Sequence, residues 1–146
     1  MTNYLTLEVA YKEHEKIIED TGGLPGIKDQ TLESVLFHMQ NDDYYPIFED
    51  KITHLVYSVA ENHSFQDGNK RTSIVLGSLF LKINRFSDEV ISDFIQKMEA
   101  LVLMLVEKKI SRDDLNGYIF FIIYEEEMPE EMSIPLEDRL RKERDC

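Results

Sequence analysis

The stretch Lys70-Arg-Thr-Ser-Ile-Val-Leu-Gly-Ser-Leu-Phe-Leu-Lys-Ile-Asn84 is apolar on nearly every side after its first turn. A helix that is hydrophobic all round is buried in the core of a protein. We therefore expect a helix over residues 70–84 that runs through the middle of the fold. Whatever side chains precede this helix would be held by the most buried element of the chain.

Helical spacing of apolar residues extends over most of the chain on both sides of this segment. Leu55, Val56 and Val59, for example, share one helical face, whereas strict alternation of apolar and polar residues is rare. The pattern predicts an all-α, compact six-helix bundle with the 70–84 helix at its centre. The six predicted helices cover about residues 5–20, 30–40, 47–61, 70–84, 88–107 and 112–124.

Two stretches interrupt the helical pattern. Residues 21–26 contain three glycines and a proline, which favour turns. Residues 41–46 end in Pro46, which biases Tyr45 toward an extended backbone, so a short β-hairpin or strand is a candidate there. Tyr44 and Tyr45 would then be either lid residues of the core or a flap that pairs with an extended target segment.

The composition is that of one ordinary soluble domain, and its charge disfavours nucleic acid as a partner. The chain has 146 residues, of which 42% are hydrophobic and 31% charged. There are 16 lysines and arginines against 29 acidic residues, and the formal net charge of −13 repels nucleic acid. No apolar run approaches the roughly 20 residues of a membrane span, and the single Cys146 excludes an internal disulfide. We therefore expect a cytoplasmic protein that binds neither membrane nor nucleic acid.

The C-terminal segment differs in composition from the rest of the chain. It opens on the acid-rich run Glu125-Glu-Glu-Met-Pro-Glu-Glu131, whose density of like charge argues against packing. The sequence predicts a folded domain over residues 1–124 and an acidic tail over 125–146. Within the tail, Pro135 is a permitted start for a short helix from Leu136 to Arg144.

The residues that carry chemistry are concentrated in Glu61-Asn-His-Ser-Phe-Gln-Asp-Gly-Asn-Lys-Arg-Thr72, directly before the central helix. His63 can take a proton near neutral pH, and Asp67 can hold a divalent cation. A Gly-Asn turn that leads into a helix presents free amide groups to an anion. Lys70 and Arg71 place two positive charges at the N-terminus of the predicted helix, where the helix dipole is also positive. This placement is unfavourable unless an anion binds there. A polyphosphate with Mg²⁺ fits this combination.

This stretch, read as H-x-F-x-D-G-N-K-R, closely resembles the signature of the Fic/Doc family. Members of that family transfer a nucleotide monophosphate or a phosphate from a nucleotide to a protein hydroxyl. The upstream segment 22–34 is similar to the corresponding segment of the Doc (death-on-curing) branch, and the resemblance extends over about residues 5–124. It implies a Fic/Doc-like fold and a transferase that uses ATP and Mg²⁺.

The resemblance also implies a role for each residue of the motif. His63 would be the base that deprotonates the target hydroxyl, and Asp67 would be a ligand of Mg²⁺. Phe65 would anchor the loop in the core. Gly68 and Asn69 would form an anion hole with their backbone amides and the asparagine side chain.

The end of the motif resembles the Doc branch more than the branch that transfers AMP. Arg71 would bind a phosphate oxygen in either branch. Lys70 and Ile74 stand where the AMP-transferring members usually have glycine and a second arginine. In Doc, the lysine accompanies an inverted nucleotide and transfer of the γ-phosphate to a threonine of elongation factor Tu. The resemblance thus implies a protein kinase that acts as the toxin of a toxin–antitoxin pair, with Lys70 beside His63 as a catalytic residue.

Several alternatives to this implied function and to these implied roles stay open. Gly68 stands where the best-known Doc has alanine, which leaves AMP transfer as a second activity. Asp67 could cap the following helix, and Lys70 and Arg71 could be solvated charges. A non-catalytic binding module with this fold is a third function. The tail segment Ser133–Asp138 matches the inhibitory motif of other family members incompletely, so restraint by a separate antitoxin is favoured.

Three further histidines are assigned no role. His14, His38 and His54 lie on predicted helices with no spacing that suits metal ligands, so packing or surface positions are expected for them.

Overall fold

The computed structural model describes residues 1–124 and shows an all-α bundle of six helices. The prediction of six helices is confirmed, and each observed boundary lies within two residues of its predicted position. The helices are α1 (Leu7–Thr21), α2 (Thr31–His38), α3 (Phe48–Asn62), α4 (Asn69–Ile83), α5 (Asp88–Val106) and α6 (Arg112–Ile123).

Side-chain caps explain where several helices begin. The side chain of Thr6 accepts a hydrogen bond from the Val9 amide at the start of α1, and Ser87 does the same for Val90 at the start of α5. Ser111 and Asp114 form a reciprocal capping box at the start of α6. Each cap satisfies amides that have no partner within their own helix.

The predicted central helix is confirmed as the core of the bundle. Helix α4 packs against α1, α3 and α5, and Leu76, Phe80 and Leu81 on it are fully buried. Gly77 allows the closest approach, because a Cβ at this position would lie 2.8 Å from Cζ of Phe94 and 3.0 Å from Cγ2 of Val56. The helix that follows the motif is therefore fixed on several sides.

The hairpin or strand that was a candidate at residues 41–46 does not form. These residues make turns, in which the Tyr45 amide donates to the Asn41 carbonyl at 2.9 Å. Buried Lys51 fixes the same loop, since its Nζ donates to the Met39 carbonyl and to Asp42. The β-bridge within residues 1–124 lies elsewhere, between Ile27 and Phe65.

No helix within residues 1–124 is long and apolar enough to cross a membrane. The predicted acidic tail, with its short helix and its incomplete inhibitory motif, lies outside the described residues.

Candidate active site

The loop between α3 and α4 and the first turn of α4 form one wall of an open cavity of about 400 Å³. Six of the predicted site residues line it together. Tyr44 and Tyr45 do not, and Phe65 lies beneath the loop in the core, where it is 1% exposed. The cavity is lined by Ala60, His63, Gln66, Asp67, Gly68, Asn69, Lys70, Arg71 and Val106.

His63 ends α3 in the left-handed conformation, with φ 53° and ψ 49°. This conformation is uncommon for a residue with a side chain, and it turns the chain sharply from α3 into the loop. The ring is exposed, and no group within residues 1–124 hydrogen-bonds to it. The imidazole is therefore available to a molecule that enters the cavity.

The N-terminus of α4 is arranged as an anion site. Gly68 is its N-cap, with φ 78°, and a glycine offers no side chain to cap the first amides. Lys70 and Arg71 are exposed in the first turn and form no ion pair with any residue of the described part. Unsatisfied amides, the positive end of the helix dipole and two cations together favour a phosphate-bearing ligand.

Asp67 is the acidic residue of this cavity. Its Oδ1 accepts a hydrogen bond from the Gly68 amide at 3.0 Å, and its Oδ2 lies 3.3 Å from the Leu24 amide. No cluster of three or more metal-ligating side chains exists within residues 1–124. One carboxylate together with substrate phosphates is a common way to hold Mg²⁺, so the residues present fit this ion as a partner of a nucleotide.

Asn69 and Phe65 lock the loop to the start of α4. Oδ1 of Asn69 accepts from the Phe65 amide at 3.1 Å, and its Nδ2 donates to the Phe65 carbonyl at 3.0 Å. The side chain of Asn69 thus braces the loop, and its contribution to an anion hole stays a prediction. The backbone amide of Asn69 remains at the uncapped end of the helix.

Residues 22–29, which the motif does not include, contact the motif loop through several backbone hydrogen bonds. The Lys28 amide donates to the Ser64 carbonyl at 2.7 Å, and the Gln66 amide donates to the Gly26 carbonyl at 3.1 Å. Residues 22–29 therefore border the motif loop. The glycines of this segment were the available signal, because they permit a backbone to approach so closely.

Tyr44 and Tyr45 line a separate, smaller cavity of about 200 Å³ between the 41–46 loop, α3 and α6. Tyr45 stacks on the ring of His54 with 4.4 Å between centroids. Burial first, and then the positive charge of Arg112 and of His38, lowers the pKa of His54 to about 4. These two tyrosines therefore line this smaller cavity and not the one at the motif, and their role as a flap stays a prediction.

A six-helix bundle with the H-x-F-x-D-G-N-K-R loop at the uncapped end of its buried helix defines the Fic/Doc class of proteins. Residues 4–81 match the Fic/DOC family. The chain therefore belongs to the Fic/Doc family. It is similar to protein kinase doc from Escherichia phage P1, with 36% identity over 76 residues, which supports the Doc branch. This match covers 49% of the chain and 60% of the phage protein.

Proposed function

We propose that this protein is a Mg²⁺- and ATP-dependent transferase that phosphorylates a hydroxyl side chain of a target protein. The observation that carries this proposal is the shared cavity, which joins an available imidazole, a carboxylate and an uncapped helix end with two cations. Phosphoryl transfer requires mainly positioning, neutralisation of charge and a base on the nucleophile, and each of these has a residue in the cavity.

The N-terminus of α4 would bind the phosphates of the donor. The uncapped first turn of α4 and Arg71 both line the cavity, and free amides and a guanidinium stabilise negative charge. Lys70 adds a second cation there, as a catalytic residue that neutralises charge on the transferred group. Asp67 would hold Mg²⁺, which when bound neutralises phosphate charge and orients the nucleotide.

His63 would act as the general base. The target hydroxyl loses its proton to the imidazole while its oxygen forms a bond to the γ-phosphorus. The bond between this phosphorus and the bridging oxygen breaks, and ADP leaves. The exposed position of the ring, free of hydrogen bonds to the described residues, supports this role.

The choice of γ-phosphate transfer is supported by Lys70 and Ile74 and by similarity to a relative named as a protein kinase. Transfer of AMP to a protein hydroxyl is the alternative with the same cavity. Elongation factor Tu is the proposed target, because the resemblance to Doc implies it. The proposed setting is the cytoplasm, and the proposed partner is an antitoxin.

Labelled nucleotide decides between these activities. The protein and its His63→Asn variant are incubated with Mg²⁺ and purified elongation factor Tu, with ATP labelled at either the α- or the γ-phosphate. Asparagine is chosen because it tolerates the left-handed conformation of residue 63. His38→Asn is the matched control, since His38 is an exposed histidine at the end of α2.

A band from the γ label alone, lost in His63→Asn and kept in His38→Asn, is the expected result. A band from the α label would establish AMP transfer instead. The absence of both labels from elongation factor Tu and from all proteins of a lysate, together with no nucleotide binding, would favour the non-catalytic binding module. In that case His63→Asn would leave partner binding unchanged.

The antitoxin would bind at an apolar groove beside the catalytic cavity. The groove has a volume of about 440 Å³, lies between α1, α4 and α5, and shares Lys70 and Arg71 with the cavity. Ile95 and Leu103 of α5 are 40% and 46% exposed there, which suits a partner helix. Ile95→Glu and Leu103→Glu are expected to weaken co-purification with the product of a neighbouring reading frame without loss of nucleotide binding.

A further inference from the structure

His14 of α1 contacts the motif loop but does not line the cavity. His14 is 2% exposed, and its Nε2 lies 2.8 Å from the carbonyl oxygen of Asp67. A carbonyl only accepts hydrogen bonds, so Nε2 carries the hydrogen and donates it. The ring also stacks on Phe65, with 3.7 Å between centroids and an interplanar angle of 8°. None of the roles proposed above uses this histidine.

We infer that His14 is a positioning residue that fixes the peptide between Asp67 and Gly68, and through it the carboxylate proposed to hold Mg²⁺. This inference rests on the proposed function. The observation that supports it is that both polar groups of the Asp67–Gly68 peptide, the carbonyl and the N–H, make hydrogen bonds. The carbonyl of this peptide accepts from His14, and its N–H, on Gly68, donates to Oδ1 of Asp67.

These two contacts restrict rotation of the peptide. If the bond from His14 is removed, the carbonyl loses its donor and the peptide can turn about its flanking dihedral angles. The amide of Gly68 would turn with it, and Oδ1 of Asp67 would lose the hydrogen bond that orients it. A carboxylate that samples several orientations binds a cation less well, because the free-energy cost of fixing its orientation opposes binding.

The surroundings of the ring show why a histidine is suited to this position. A Cβ on Gly68 would lie 3.7 Å from Nε2 of His14 and 3.3 Å from Cδ1 of Ile18, so α1 forms the floor under this turn. No residue of α1 lines the catalytic cavity. Helix α1 also borders Lys70 and Arg71 in the neighbouring groove, but the hydrogen bond from α1 to the backbone of the loop comes from His14.

Two substitutions separate the hydrogen bond from the packing. His14→Phe keeps an aromatic ring against Phe65 and removes the donor, whereas His14→Gln keeps an N–H donor and removes the ring. Tyr11→Leu is the packing control, because Tyr11 makes an edge contact with Phe65 at 6.0 Å and no hydrogen bond to the loop. Thermal unfolding of each full-length variant reports how much stability is lost.

The decisive measurement is calorimetric binding of the non-hydrolysable analogue AMP-PNP, once with excess Mg²⁺ and once with EDTA. In the unmodified protein, Mg²⁺ is expected to tighten binding. The measured quantity is the affinity for AMP-PNP with Mg²⁺ divided by the affinity with EDTA. In His14→Phe this ratio should fall about tenfold, because the loss of one hydrogen bond has an effect of this size. His14→Gln should retain more of the ratio than His14→Phe. Tyr11→Leu should lower the unfolding temperature and leave the ratio unchanged.

The inference is overturned if His14→Phe keeps the wild-type ratio, or if the ratio falls equally in all three variants in step with their stability. A wild-type protein that binds AMP-PNP under neither condition would overturn the proposed function itself. Wild-type binding that depends on Mg²⁺, with the same dependence in every variant, would overturn only the role of His14.

Discussion

Asn69 holds the backbone of Phe65 at both ends, with its Oδ1 3.1 Å from the Phe65 amide and its Nδ2 3.0 Å from the Phe65 carbonyl. Both residues are buried, so neither backbone group can turn to water if this side chain is removed. One asparagine thus joins the first residue of α4 to the middle of the motif loop. Because Phe65 anchors that loop in the core, the contact couples the stability of the core to the shape of the site.

Asn69→Ala is expected to destabilise the protein and to weaken nucleotide binding together. The lost bonds leave two buried polar groups unsatisfied, which costs about 2–3 kcal/mol of free energy of unfolding. A loop displaced by even a fraction of an ångström should weaken ATP binding by about tenfold or more. Urea denaturation and calorimetry measure the two effects.

Asn84, at the other end of α4, provides the matched control. Its side chain also makes several hydrogen bonds, to Asn3 and to the Phe80 carbonyl, but in a more exposed position far along the helix from the motif. Asn84→Ala should cost about 1 kcal/mol and leave ATP binding unchanged. Equal effects of the two substitutions on ATP binding would contradict the special role of Asn69.

The sequence predicted the elements of this fold closely because their signals are local. Apolar spacing determines which stretches are helical, and the apolar surface of residues 70–84 identified the central helix before any tertiary contact was known. The motif in the same way predicted six residues that line one cavity, namely His63, Asp67, Gly68, Asn69, Lys70 and Arg71, but not Gln66, which also lines it.

What the sequence did not reveal are contacts between distant segments. His14 reaches a carbonyl 53 residues away, and nothing in its helical neighbourhood indicates that partner. The motif identified Asn69 as a site residue, but it did not indicate that the Asn69 side chain would hydrogen-bond to the backbone of Phe65. For Tyr44 and Tyr45, a proline and two aromatic residues were compatible with a flap or a packed loop. Only the fold shows that Tyr45 stacks on His54 while Tyr44 is exposed.

Two glycines in helices should respond in opposite directions to alanine. Gly77→Ala places a methyl group 2.8 Å from the ring of Phe94, which is fully buried and cannot move away. We expect a loss of about 1–3 kcal/mol in the free energy of unfolding. Gly117→Ala in α6 meets no atom within 4 Å and should gain about 0.5–1 kcal/mol from improved helix propensity. Chemical denaturation of both variants tests the pair, and a stable Gly77→Ala protein would show that α3, α4 and α5 pack less closely than described.

Buried Lys51 should be needed for the shape of the 41–46 loop. Its Nζ donates to the Met39 carbonyl at 3.0 Å and pairs with Asp42 at 2.7 Å, although the lysine itself is only 2% exposed. Lys51→Met keeps the aliphatic stem and leaves the Met39 carbonyl without this donor, at a cost of about 1–3 kcal/mol. Lys12→Met, which removes an exposed pair with Glu8, should change stability by less than about 0.5 kcal/mol. Limited proteolysis of the loop, compared between the two variants, would reveal whether its order depends on the buried ammonium group.

The low pKa of His54 should make stability depend on pH in the mildly acidic range. Burial, followed by the charges of Arg112 and His38, lowers this pKa to about 4 in the folded protein, against about 6.5 in an unfolded chain. Between these two values the unfolded state binds more protons, so the free energy of unfolding falls as the pH is lowered from about 6.5 to about 4. Because the ring is partly exposed and solvent screens its charge, we expect the free energy of unfolding to fall by roughly 1–2 kcal/mol, less than the pKa shift alone would give.

His54→Gln isolates this contribution from the carboxylates that titrate in the same range. The variant keeps an oxygen that can accept the hydrogen bond from Arg112, now made to Nδ1 of His54 at 3.0 Å, but it cannot be protonated. Urea denaturation of both proteins from pH 7.5 down to pH 4 should give stability curves that diverge below about pH 6.5, with the wild type falling faster. The exposed His38 serves as control, since His38→Gln should leave most of the wild-type pH dependence in place. Parallel curves for wild type and His54→Gln would mean that folding does not lower the pKa of His54, and hence that burial and the contact with Arg112 do not disfavour its protonated form.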